Sequence, residues 1–127
     1  MLSNKLQVYY NRPIMYKGDY RMERLTPCEL AIMQIVWKNK TDIPETDIKI
    51  ELSKMAQKEY ARTTIATFLK RLENKNYLEK YHVGRKSYVR ALIPARNYGR
   101  EQLRTILDVY YDGDRDGLLQ DIQSANT

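Results

Sequence analysis

Residues 61–93 read A-R-T-T-I-A-T-F-L-K-R-L-E-N-K-N-Y-L-E-K-Y-H-V-G-R-K-S-Y-V-R-A-L-I, and two successive periods in this stretch decide the fold. In the first half, Ile65, Phe68, Leu69 and Leu72 recur at the i, i+3, i+4, i+7 spacing of one helix face. The opposite face carries Arg62, Thr63, Thr67, Lys70 and Arg71, all cations or hydrogen-bond donors. The second half switches to period two. Leu78, Lys80 and His82 alternate with Tyr77, Glu79 and Tyr81. Gly84 and its polar neighbours mark a turn, after which Tyr88, Arg90 and Leu92 alternate with Val89, Ala91 and Ile93. A helix feeding a hairpin with a basic tip is the layout of a winged helix-turn-helix. In that layout the helix enters a major groove and the hairpin tip lies along phosphates.

Charge is concentrated in the same stretch. Residues 61–90 hold eight Lys or Arg against Glu73 and Glu79, a net +6, and the whole chain is also +6. The remainder therefore sums to zero. A local cationic excess is what an anionic polymer reads, because neutralising phosphates releases condensed counterions. An ordinary amphipathic helix beside a solvated basic hairpin would carry the same charge, so charge alone does not choose between the two readings.

Working outward, a chain of 127 residues predicts one domain with an appended arm. With 30% charged and 43% hydrophobic residues it reads as globular and cytoplasmic. No apolar run approaches the roughly 20 residues that cross a membrane, and the N-terminus has no secretory pattern. The single cysteine, Cys28, excludes an internal disulfide and suits a reducing compartment. The expected organisation is an N-terminal extension over 1–24, a winged helix over 25–93 and a C-terminal helical dimerisation segment over 94–127.

In 1–24, Pro13 and Gly18 interrupt the chain and no period holds. Tyr9, Tyr10, Tyr16 and Tyr20 alternate with Lys5, Arg12, Lys17 and Arg21. This is either a basic aromatic arm that tracks nucleic acid or a disordered, partly docked extension. Thr26-Pro27-Cys28-Glu29 is a capping box with proline at the first helical position. Leu30, Met33 and Trp37 share a face of the helix that follows, widened by Ile32, Ile35 and Val36. Cys28 in its first turn reads as a bystander thiol. Residues 39–44 form a loop with room for one short strand pair. Residues 45–56 read as a second helix with Ile48, Leu52 and Met55 inward, and 57–60 as the turn of the helix-turn-helix. Ala61, at the cap of the third helix, offers no side-chain oxygen, which leaves Thr63 and Thr64 to satisfy the free amides.

Beyond Pro94 the pattern changes again. Leu103, Ile106, Leu107, Tyr110 and Tyr111 lie at helical spacing, Gly113 and Gly117 flank a break, and Leu118, Leu119 and Ile122 follow. Residues 101–127 set Arg104 and Arg115 against six acids, a net −4. Such a tail does not touch DNA and needs an apolar partner: self-association, or its own preceding domain.

Four ordered blocks together resemble the penicillinase-repressor family of the BlaI/MecI/CopY type. They are L-T-P-C-E-L-A-I-M-Q-I-V-W at 25–37, T-T-I-A-T-F-L-K-R-L-E-N-K-N-Y-L at 63–78, G-R-K-S-Y-V-R-A-L-I at 84–93 and Y-Y-D-G-D-R-D-G-L-L at 110–119. The resemblance covers about residues 22–122. It implies a homodimeric winged-helix repressor on double-stranded inverted-repeat operators, joined through its C-terminal helices. Carried over by position, it places Arg62, Thr63, Thr64 and Thr67 in DNA contact on the recognition helix, with Arg85 and Lys86 on the wing. The family's β-lactam-responsive branch often has arginine where this chain has Ala66. Members of that branch are inactivated by a regulatory protease, commonly at an Asn-Phe bond, where this chain has Thr105-Ile106. The copper-responsive branch has a cysteine-rich tail, whereas this chain ends S-A-N-T.

Two other functional classes compete. An enzyme would need more than His82, the lone histidine, and the distant Cys28; no glycine-rich phosphate loop, nucleophile elbow or metal-ligand cluster accompanies them. Asp112, Asp114 and Asp116 lack the remaining ligands of a calcium loop and read as helix-end charge. A winged-helix protein-interaction module without DNA readout is the alternative, but it needs no cationic face. The sequence thus predicts a mainly α protein with a small β-hairpin: a non-enzymatic, cofactor-free regulator, a repressor that binds a palindromic operator as a homodimer. Its DNA contacts are Arg62, Thr63, Thr64, Thr67, Lys70, Arg71, Arg85 and Lys86. Its dimer contacts are Leu103, Ile106, Leu107, Tyr110, Leu118 and Leu119.

Overall fold

The computed structural model describes residues 14–16 and 20–125. The chain divides into two units: Met22–Ala95, and Met1–Arg21 together with Arg96–Thr127. In chain order the elements are β1 (Ile14–Tyr16), β2 (Tyr20–Met22), α1 (Pro27–Lys38), β3 (Ile43–Pro44) and α2 (Glu45–Ala56). They continue as α3 (Arg62–Asn74), β4 (Leu78–Val83), β5 (Lys86–Ala91), α4 (Ala95–Tyr110) and α5 (Arg115–Ser124). β1 and β2 form a two-stranded sheet where the sequence showed no period. Strands this short leave little room for an alternating pattern to register. The cations and tyrosines of the N-terminal arm reading lie outside the residues whose side chains are described.

α1 starts where its capping box places it. Glu29 donates its backbone N–H to Thr26 Oγ1, and Glu29 Oε1 accepts the Thr26 N–H at 2.9 Å. Ile32, Met33, Ile35 and Val36 are buried, and Trp37 Nε1 donates to the Ile93 carbonyl at 2.8 Å. α2 buries Ile48 and Leu52, but Met55, expected inward, is 52% exposed. It sits in the last turn, just before Gln57 enters the left-handed region (φ 50) and ends the helix. Lys58 N–H to Ser53 O and Gln57 N–H to Lys54 O close that end as a Schellman motif.

α3 buries Ile65, Leu69 and Leu72. It too closes with a Schellman motif: Asn76 (φ 65) takes the left-handed position, and Tyr77 N–H reaches Leu72 O at 3.0 Å. Tyr77 is thereby turned fully into the core, where its hydroxyl donates to the Glu23 carbonyl. At the other end, Ala61 caps without a side-chain hydrogen bond. Thr63 and Thr64 do not supply one, contrary to expectation. Capping needs the acceptor at the extended residue before the helix, and both threonines lie within it.

The sheet runs β3–β5–β4, antiparallel throughout. Lys80 faces Val89, Tyr81 faces Tyr88 and His82 faces Ser87 across the hairpin. Gly84 (φ 62) takes the first central position of the two-residue turn, which requires a positive φ. Leu78 and Val89 are buried on the sheet's inner face, while Tyr81 and Tyr88 stack on its outer face with centroids 5.7 Å apart.

In the second unit, Asp114 caps α5 by accepting the Gly117 N–H at 3.1 Å. A Cβ at Gly117 would stand 2.4 Å from Asp114 Oδ2, so a larger residue there would make the capping carboxylate shift. Asp116 lies in the first turn of α5, where its charge favours the helix dipole.

One ion pair ties α1 to the end of α3. Lys75 Nζ lies 2.6 Å from Glu29 Oε1 and also donates to the Arg24 carbonyl. Glu29 is only 1% exposed. Burial pushes its carboxyl up. The hydrogen bond and charge of Lys75 and the bonds from Thr26 outweigh that and hold it below the ordinary 4.5. A carboxyl held low in the folded state contributes stability above its unfolded value, and that stability is lost as pH falls through the folded value. Lys75→Met leaves the carboxylate buried and unpaired. We expect it to cost about 3 kcal/mol or more at pH 7, measured by denaturant unfolding. The gap from wild type should narrow as pH drops below 4.5.

Candidate nucleic-acid interface

The exposed face of α3 follows from what its other face buries. With Ile65, Leu69 and Leu72 inward, Arg62, Thr63, Thr67, Lys70 and Arg71 project into solvent, and Thr64 is half-buried. The β4–β5 turn carries Arg85 and Lys86, both exposed. A cleft of ≈ 580 Å³ lies between the start of α2, the start of α3 and the hairpin. Ile65 and Ala66 line it alongside Arg62, Thr63, Arg85 and Lys86, so the two cationic groups face a shared concavity. α3 brings no acid in its first turn and no side-chain cap. Its free N–H groups and positive dipole end thus add to the charge there.

Ion pairing sorts the cations of this region. Lys75 is held by Glu29, Lys80 lies 3.2 Å from Glu45 Oε2, and Arg90 reaches Asp42 at 3.1 Å and Glu79 at 2.9 Å. Lys49, which lines the cleft, pairs with Glu59 at 2.9 Å. Arg62, Lys70, Arg71, Arg85 and Lys86 form no ion pair with any described residue. The hairpin's outer face is a closed network. Tyr81 and Arg90 both donate to Asp42, and Arg90 lies 5.0 Å from the Tyr81 ring centroid. Those bonds, Tyr81's first, hold the Asp42 carboxyl below its ordinary value.

Ser87 also lines the cleft, and its Oγ is buried without a hydrogen-bond partner among the described residues. Sequence reading passed over it. The only available signal was its place on the hairpin's inner face, one residue after the basic pair. His82 is exposed beside the turn and Cys28 lies in α1, so the two are far apart along the chain. Among the described residues no group of His, Cys, Asp and Glu could hold a metal ion. No helix among them is long and apolar enough to cross a membrane.

The second unit presents a groove of ≈ 610 Å³ between α4 and α5, its walls formed by Leu103, Leu107, Leu118, Leu119 and Ile122 together with Arg100, Arg104, Asp108 and Arg115. Around it Leu103, Ile106, Tyr110, Leu119 and Ile122 are 46%, 38%, 70%, 54% and 48% exposed, while Leu107 and Leu118 are half-buried.

The penicillinase repressor family model matches residues 25–126. The chain belongs to the penicillinase repressor family. Its members are DNA-binding transcriptional repressors, not enzymes. Among solved structures, the DNA-binding domain of the repressor BlaI is similar at 29% identity, with a TM-score of 0.51, over 59% of this chain and 88% of that one. RosR of H. salinarum shares the fold at 19% identity and a TM-score of 0.51, over 80% of this chain and 93% of its own. The PcaV transcriptional regulator from Streptomyces coelicolor shares it at 16% and 0.50, over 97% and 89%. No curated protein matches the chain significantly. The family assignment makes this a winged-helix DNA-binding repressor, with duplex DNA as its partner.

The pairing pattern separates two arginines on one hairpin. Arg85→Ala should weaken DNA binding on every sequence and flatten the slope of log K against log salt by about 0.9. Arg90→Ala should leave that slope unchanged, because Asp42 and Glu79 already neutralise its guanidinium.

Proposed function

We propose that this repressor binds an inverted-repeat operator as a homodimer, with α3 in the major groove and the β4–β5 turn on the flanking phosphates. The carrying observation is the set of five unpaired cations divided between the exposed face of α3 and the hairpin tip. Arg62, Thr63, Thr64 and Thr67 face the bases, and Lys70, Arg71, Arg85 and Lys86 hold the backbone. A helix with short side chains at its centre and cations at its rim suits this role. The rim fixes register on the phosphates and the centre approaches the base edges. A protein-interaction module would have no use for cations left unpaired while their neighbours are neutralised.

The organisation we infer is a DNA-binding unit over 25–93 and a dimerisation segment over 94–127. Leu103, Ile106, Leu107, Tyr110, Leu118 and Leu119 would form the interface around the α4–α5 groove. Burying an exposed Leu, Ile or Met side chain is worth about 1.5–3 kcal/mol, so a face this apolar favours a partner over water. A self-complementary face is the simplest source of one. The segment's acidity keeps it off DNA without opposing apolar packing. Two linked recognition helices then gain affinity from effective concentration, with no new base contact.

Removing the residues after Pro94 tests this organisation. The fragment should be folded and monomeric by sedimentation. It should bind an operator at least ten times more weakly than the full chain, given the range that linkage spans. A fragment that stays dimeric would move the interface out of α4 and α5.

A further inference from the structure

The hydroxyl of Thr67 is already engaged. Thr67 Oγ1 donates to the Thr63 carbonyl one turn earlier, at 3.0 Å. Thr67 is nevertheless exposed, near the middle of the solvent-facing stripe of α3. A threonine side chain has only two heavy groups on Cβ. When the hydroxyl donates back onto its own helix its one proton is used, so the residue offers a partner no donor, only the γ-methyl and the remaining acceptor lone pair of the oxygen. Thr63 precedes it by one turn and the Cβ of Ala66 lies beside it, while Arg62, Lys70 and Arg71 surround these short side chains. The centre of the recognition face is thus short and methyl-bearing, and its rim is cationic.

We infer that Thr67 reads DNA through its methyl group, as an apolar contact to the 5-methyl of a thymine in the major groove, and not through its hydroxyl. The inference rests on the DNA-binding reading above and specifies its chemistry at one position. Each base pair presents a distinct pattern in the major groove, and the thymine methyl is its one apolar feature. A hydroxyl could serve several bases as donor or acceptor. A methyl contact rewards thymine alone and is indifferent to hydrogen-bond geometry.

One isosteric variant, one methyl deletion and one modified base separate the alternatives. Thr67→Val keeps the methyl and loses the oxygen; Thr67→Ser keeps the oxygen and loses the methyl. The operator is first selected from a random duplex pool by the wild-type full chain. Its thymines are then replaced by uracil, one position per half-site, which removes only the 5-methyl. Thr67→Val should bind the selected duplex within about twofold of wild type. Thr67→Ser should bind about fourfold more weakly per half-site, the value of one buried methyl. One uracil replacement should weaken wild type and Thr67→Val by a similar factor and leave Thr67→Ser unchanged.

If Thr67→Ser binds like wild type and Thr67→Val does not, the hydroxyl is the reader and the inference falls, while the DNA-binding reading stands. Equal affinity for all three proteins, or insensitivity of wild type to uracil at every thymine, also overturns it. If wild type selects no duplex from the pool, the DNA-binding reading fails and the inference fails with it. Thermal unfolding of both variants guards against a fold effect, since the site is solvent-exposed and each change should shift stability by less than a single buried contact would.

Discussion

The proposed recognition surface leans on a buried tie between the start of α1 and the end of α3. Glu29 closes the capping box of α1 and, through the same oxygen, holds Lys75 just past the last turn of α3. Tyr77, two residues on, is turned into the core by the Schellman motif and bonded to the Glu23 carbonyl. The rotation of α3 about its axis therefore does not rest on apolar packing alone. A helix whose inward face is only Ile65, Leu69 and Leu72 could repack a few degrees either way at little cost, since aliphatic contacts are weakly directional. A charge-assisted bond in a buried site is directional. It anchors the C-terminal end of α3 beside the packing of Ile65, Leu69 and Leu72 that leaves Arg62, Thr63, Thr67, Lys70 and Arg71 exposed.

A second constraint is the division of charge. Every cation that the fold uses for itself is matched to a named acid: Lys75 to Glu29, Lys80 to Glu45, Arg90 to Asp42 and Glu79. Arg62, Lys70, Arg71, Arg85 and Lys86, on the two elements proposed to reach a duplex, form no ion pair with any described residue. The sheet's outer face, with its closed Asp42–Tyr81–Arg90 network, stiffens the hairpin and spends no charge on the ligand. Electrostatic attraction by unpaired cations supplies affinity for any DNA, and the short side chains between them leave room for base contact.

Much of this was legible in the sequence because it is local. The helix face of 62–72, the period-two hairpin of 78–91, the Gly84 turn and the capping box at Thr26 are each written within one short consecutive stretch. The charge sorting was not legible. Glu29, Glu45 and Asp42 lie 46, 35 and 48 residues from Lys75, Lys80 and Arg90, and only Glu79, 11 residues from Arg90 across the hairpin, is near, so a raw count of cations overstated what is free. Met55 and the capping role of Thr63 and Thr64 were misread for a related reason, although Ala61 was rightly read as offering no cap. Periodicity marks a face but not where a helix leaves the core, and threonines at the second and third positions of the helix do not cap it. Ser87 gave almost no signal, because its burial is created by the cleft between α2, α3 and the hairpin.

The most direct measurement is phosphate-ethylation interference on an operator selected by the full chain. Each copy should give one compact set of phosphates whose ethylation blocks binding, where α3 and the hairpin tip bear on the backbone. Two such sets should appear, related by two-fold symmetry and separated by about one helical turn of duplex or a multiple of it. Arg85→Ala should erase the outer members of both sets. A single set, or two sets that Arg85→Ala leaves intact, would contradict a two-fold assembly that holds DNA through the unpaired cations of α3 and the hairpin.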